Sequence, residues 1–141
     1  VERLLEFAGR HPELFAALGV IVALLVWTSV RGRLQGIRSV GPVEATLLIS
    51  HEDALVLDVR EPHEVKDGLI LNSVHVPLGQ VRDHLGKLEK YKDRPVIVGC
   101  RSGSRSHSAA ALLAKAGFAQ VYNLQGGLLA WQNANLPLVK K

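Results

Sequence analysis

The chain has 141 residues, 48% of them hydrophobic and 21% charged, with a formal net charge of +4 and a single cysteine. That length is enough for one domain with a real core, and one cysteine excludes any disulfide within the chain. The basic residues are scattered and aromatics make up 5%, a composition that argues against nucleic-acid binding.

Residues 1–13 form a short amphipathic lead in which Glu2, Arg3, Glu6, Arg10 and Glu13 mix both signs of charge, with Pro12 just ahead of an uncharged run. That run, Leu14 to Val30, is 17 residues long. At about 1.5 Å per residue it covers about 25 Å, close to the hydrocarbon thickness of a bilayer. It is apolar all round, where a core helix keeps a polar face, and it lacks the basic start and small-residue cleavage site of a signal peptide. The expectation is a single transmembrane helix over residues 14–30 in contact with the lipid bilayer, with Trp27 near one interface. Arg31, Arg33 and Arg38 follow the run, whereas only Arg3 and Arg10 precede it. This bias places the C-terminal side in the cytoplasm, as expected for a single-pass inner-membrane protein. A lone thiol agrees with a reducing compartment. Residues 31–38 read as a basic linker and 39–141 as the globular domain.

Within that domain, helix and strand signals alternate. Pro42 to Ser50 reads as a helix, Ala54 to Val59 and Ser73 to Pro77 as strands, and Val81 to Tyr91 as a helix with Val81, Leu85 and Leu88 on one face. Pro95 to Cys100 is an apolar central strand, followed by a helix from Ser104 to Ala116 that Gly117 closes. Val121 to Leu124 is a further strand, and Gly127 to Asn133 a final helix. Apolar strands separated by helices predict an α/β fold with a doubly wound parallel sheet and helices on both faces. In such sheets ligands bind at the carboxyl ends of the strands. Cys100 stands at one such end and Asp58-Val59-Arg60 at another.

Cys100-Arg101-Ser102-Gly103-Ser104-Arg105-Ser106 is therefore a loop between a buried strand and a helix. Backbone N–H groups and the positive end of a helix dipole favour the thiolate there, and two arginines add positive charge. His63, His75, His84 and His107 have no partner at metal-ligand spacing, so no metal is expected. Gly126-Gly127 and Trp131 are assigned to helix-start geometry and core packing.

Asp58-Val59-Arg60-Glu61-Pro62-x-Glu64, then Gly68 through Val76-Pro77, then the Cys100–Ser106 loop, then Asn123-Leu-x-Gly126-Gly127-xx-Ala130-Trp131 together resemble a rhodanese domain over about residues 40–138. The whole chain, with the Gly9-Arg-His-Pro12 lead, looks like the bacterial membrane-anchored single-domain rhodaneses. The resemblance implies a sulfurtransferase without a cofactor. Cys100 would take the outer sulfur of thiosulfate or another sulfane donor as a persulfide and pass it to a thiol or cyanide-like acceptor. It also implies that the backbone from Arg101 through Ser102, Gly103 and Ser104 to Arg105 cradles the anion, with the charges of Arg101 and Arg105 in or near the pocket. Asp58 and Arg60 would brace the loop. Four residues lie between Cys100 and Arg105, where the related phosphatases hold five, and the narrower cradle favours sulfur. The second motif departs from the family pattern Gly-His-Ile-x-Gly-Ala: it reads Gly68-Leu-Ile-Leu-Asn72-Ser73, and Asn72 tolerates a positive φ. The competing reading is a binding module of the same fold that docks a membrane or cytoplasmic protein partner.

Overall fold

The structure is a computed structural model that describes residues 1–34 and 36–140. The chain divides into two compact units, Val1–Leu34 and Gln35–Lys141.

The first unit holds two helices, α1 (Glu2–Arg10) and α2 (Pro12–Leu34). Pro12 opens α2, the position where a missing N–H costs nothing. The transmembrane helix expected over residues 14–30 is corrected here. Among the described residues, no helix is long and apolar enough to cross a membrane. The physical reason lies in the length of the apolar stretch. The uncharged run ends at 17 residues, which at about 1.5 Å each falls short of a hydrocarbon core of about 30 Å. Glu13 lies in the first turn of α2. Of the expected 31–38 linker, Arg31 to Leu34 belong to α2, Gln35 lies outside the described residues, and Ile37 and Arg38 are already in a strand.

The second unit runs β1 (Ile37–Val40), α3 (Pro42–Glu52), β2 (Leu55–Asp58), α4 (Pro62–Val65), β3 (Val74–His75), α5 (Val81–Leu88), β4 (Val96–Gly99), α6 (Ser104–Lys115), β5 (Val121–Leu124) and α7 (Gly127–Asn133). Short 3₁₀ turns at Leu78–Gln80 and Glu89–Tyr91 flank α5. The five strands are parallel in the order β1-β5-β4-β2-β3. From β2 the chain winds outward to β3, and from β4 it winds outward the other way to β5. β2 and β4 are thus neighbours at the point where the winding reverses, with Leu57 opposite Val98 and Asp58 opposite Gly99. The crevice beyond their carboxyl ends is where this topology leaves room for a ligand.

β2 and β4 are buried on every residue, as expected of strands covered on both faces. Their alternation sorts the core into two layers. Leu55, Leu57 and Val59, with Val96, Val98 and Cys100, pack with Ala109, Ala110 and Leu113 of α6 and with Val81 and Leu88 of α5. Val56 and Ile97 face the other way, with Ala45 of α3 and Leu128 and Trp131 of α7. On α6 the buried residues are Ser106, Ala109, Ala110 and Leu113, one stripe at helical spacing. Ser106 is the polar member of that stripe, and it lies one turn from the cysteine loop.

Candidate active site

Cys100 follows β4 directly, and its side chain shares the face of Val96 and Val98 with no exposed surface. The loop after it turns at once into α6, with Gly103 in the helix N-cap position at φ +106°. A side chain at Gly103 would be strained by that φ, although the space beside it would admit a Cβ at ordinary contact distance. The tight turn brings the Gly103 N–H to the Cys100 Sγ, to which it donates at 3.0 Å. Arg101, Ser102 and Ser104 are exposed while Cys100 and Ser106 are buried. The loop therefore presents backbone to the sulfur and side chains outward.

Ser106 lies beside the thiol, with Cys100 Sγ and Ser106 Oγ 3.4 Å apart. The Ser106 hydroxyl in turn donates to Asn123 Oδ1, and Asn123 Nδ2 donates to Gly103 O at 3.1 Å. Burial pushes the Cys100 thiol pKa up. The amides of Ser106, Gly103 and Ser102, together with the Ser106 hydroxyl when it turns its proton to the sulfur, outweigh it and hold the thiol below its ordinary value. The start of α7 secures the loop from behind: Leu128 N donates to Cys100 O at 2.8 Å and Leu129 N to Arg101 O at 3.1 Å. With those carbonyls held away, the amides are left to face the sulfur.

The two arginine positions separate. Arg101 is exposed and lines a cavity of about 370 Å³ together with Arg60, His63, Glu64, Asp67 and Leu128, among others. Arg105, whose charge the resemblance puts in or near the pocket, gives both terminal nitrogens to the carboxylate of Glu64, a residue of the same cavity wall, each at 2.7 Å. A bidentate, partly buried carboxylate competes well for a guanidinium. The Arg105 hydrogen bonds, joined by one from the Glu61 backbone and opposed by burial, pull Glu64 down from 4.5 to about 2.

Asp58 and Arg60 are brought together at the end of β2, both buried. Arg60 Nε donates to both Asp58 oxygens at 3.0 Å and Nη2 to Oδ2 at 2.7 Å. The same guanidinium reaches Glu64 O at 3.2 Å and Gly68 O at 2.8 Å, and His75 Nε2 donates to Arg60 O at 2.7 Å. The pair thus sets the 60–68 segment in place. That segment carries Glu64, and Glu64 holds Arg105 on the helix that follows the cysteine loop. Glu64, Ser106, Asn123 and Gly127 all stand inside the recognised motifs, yet their roles are not readable there. Glu64 and Arg105 are 41 residues apart, and only the fold shows that they meet.

The comparisons with known proteins agree with this geometry. The sequence model of the rhodanese-like domain matches residues 42–134. An uncharacterized Escherichia coli (strain K12) protein, YibN, is 39% identical over 142 residues, covering 99% of each chain. A protein from Allochromatium vinosum named as a sulfurtransferase is 38% identical over 92 residues, covering 65% of this chain and 84% of its own. The crystal structure of a rhodanese-related protein from Thermoplasma volcanium has a TM-score of 0.66 at 33% identity, covering 74% of this chain and 99% of that one. With the motifs in order, the cysteine at the reversal of the sheet and full-length similarity to YibN, this chain belongs to the rhodanese-like domain family.

Proposed function

We propose that this protein takes sulfane sulfur from thiosulfate or a persulfide onto Cys100 and hands it to a thiol or another thiophilic acceptor. The family and its sulfurtransferase-named members support a sulfurtransferase-type activity. The observation that carries the assignment to Cys100 is the contact of its Sγ with the Gly103 amide at 3.0 Å, in a loop held open from behind by α7. In the first step the Cys100 thiolate attacks the outer sulfur of the donor. The donor's sulfur–sulfur bond breaks and its electron pair leaves with the sulfite or thiolate. In the second step the acceptor thiolate attacks the outer sulfur of the Cys100 persulfide, and Cys100 leaves as the thiolate. No oxidant or reductant is consumed. Loop amides that face Cys100 lower the cost of its anionic form in both steps. Arg101, on the cavity wall, supplies an open positive charge for an anionic donor.

The test is intact mass spectrometry of the full chain after incubation with thiosulfate, beside Cys100→Ser. The expected result is one added sulfur atom on the wild type, absent from the variant and removed by cyanide or thiol. If folded wild-type protein gains no sulfur from thiosulfate or from a low-molecular-weight persulfide, the assignment fails and the binding-module reading takes its place.

A further inference from the structure

Asn123 has no part in the two steps above, yet it is tied to the cysteine loop at two points. Its Nδ2 faces the carbonyl oxygen of Gly103 at 3.1 Å. A carbonyl oxygen only accepts, so the group facing it must be the amide NH₂. That fixes the side chain's orientation and places Oδ1, an acceptor, against Ser106. Ser106 has one hydroxyl proton, and Asn123 takes it. What Ser106 then turns toward Cys100 Sγ, 3.4 Å away, is a lone pair. This suits a thiol, whose S–H can donate to it. It does not suit a thiolate, which needs the proton that Asn123 holds.

Ser106 has no exposed surface and Asn123 is 8% exposed, so water does not readily supply a substitute donor. When the sulfur becomes anionic, the Ser106 hydroxyl must rotate toward it and leave Asn123 Oδ1 without its partner. An unmade bond at a buried acceptor is costly. Once sulfur is loaded, the negative charge of the persulfide moves to the outer atom and Sγ no longer needs the proton. Delivery reverses this. The bond between the two sulfurs breaks, its electron pair stays on Sγ, and the Ser106 proton swings from Asn123 to it.

We propose that Asn123 is a positioning residue that competes with Cys100 for the single Ser106 proton, and so biases the site toward its thiol and sulfur-loaded forms over the bare thiolate. The consequence for transfer rests on the sulfurtransferase reading; the competition itself does not.

Cys100 is the one cysteine of the chain, so iodoacetamide alkylation followed against pH reads this thiol alone. In full-length Asn123→Leu the Ser106 proton is free for the sulfur. The titration midpoint moves to lower pH, and alkylation well below the wild-type midpoint speeds up about tenfold. The other charged or titratable groups around the sulfur stay in place: Arg101 of the loop, Arg105 of α6, Glu64 of α4, the Asp58–Arg60 pair at the end of β2 and His75 of β3. If Asn123 merely held the loop in shape, its loss would loosen the Gly103 amide and raise the midpoint. A raised or unchanged midpoint overturns the proposal. Adding Asn123→Leu to Ser106→Ala should move the midpoint no further; a shift there means that Asn123 acts by another route, and it overturns the proposal equally. Should Asn123→Leu fail to fold, the wild type carries the test through the S–H stretching band of its one thiol. The band is expected at lower frequency than in Ser106→Ala, and equal frequencies overturn the proposal. None of these readouts needs sulfur transfer, so failure of the sulfurtransferase reading is told apart from failure of this one.

Discussion

At the scale of single residues, the site depends on positions that carry no reactive group. Gly127 adopts φ +61°, and a Cβ there would overlap both Cys100 O and Arg101 O. Those are the carbonyls that α7 anchors, so any side chain would push against the loop's own backbone. Gly127→Ala is therefore expected to destabilise the domain by at least about 2 kcal/mol, from the left-handed backbone and the clash together. Urea denaturation measures this, and a change under about 0.5 kcal/mol would mean that the loop can move aside at little cost. The sequence places Gly126-Gly127 at a helix start, which is where they are. That Gly127 also presses on the cysteine loop is a contact across 27 positions of chain, and no local pattern carries it. Asn72 is the converse case. Its own chemistry predicts tolerance of a positive φ, and it has φ +61°.

Among elements, the link that matters most runs from α4 to α6 through Glu64 and Arg105. The folded Glu64 titrates at about 2 against an unfolded value of 4.5. A depressed carboxylate contributes stability that is present above the unfolded value and lost as pH falls through the folded one. Wild-type stability should thus fall between about pH 4.5 and pH 2 partly on account of this pair. Glu64→Gln should flatten that part of the profile and cost about 1 kcal/mol at neutral pH, after allowance for the solvent that reaches Arg105. Urea midpoints for both proteins across this range check it, and parallel curves would show that the pair contributes nothing. The strands and long helices of this unit were legible because burial on both faces and helical spacing leave marks on the sequence. The first half of β1 reads as linker in the sequence, since Arg38 and Ser39 are exposed on an edge strand. α4 is one turn long, too short for periodicity to reveal.

For the whole molecule, the Gln35–Lys141 unit is one sheet with a core on each face. Leu113 of α6 and Leu124 of β5 are fully buried in opposite layers. Leu113→Ala and Leu124→Ala should each cost about 2–5 kcal/mol from lost contact and residual cavity. Because the sheet separates them, the double variant should match the sum within about 0.5 kcal/mol. Urea unfolding followed by fluorescence tests this, and a deviation of more than about 1 kcal/mol would show that the layers relax together.

The sequence by itself determined the alternation of strand and helix, the parallel sheet, the placing of Cys100 at a strand end and the family to which the chain belongs. Those are properties of short segments, written in hydrophobic spacing and in motifs of a few adjacent residues. Tertiary structure decided which charges remain open: Glu64 engages Arg105, while Arg101 faces a cavity. It also brought Asn123 Oδ1 to the Ser106 hydroxyl and set Gly127 against the carbonyls of the cysteine loop. The N-terminal run shows the same limit from the other side. Apolar composition suggested a span, and the length of helix that was both long and apolar did not supply one among the described residues. Each of these outcomes turns on distances between residues far apart in the chain or on the extent of a folded element, and composition specifies neither.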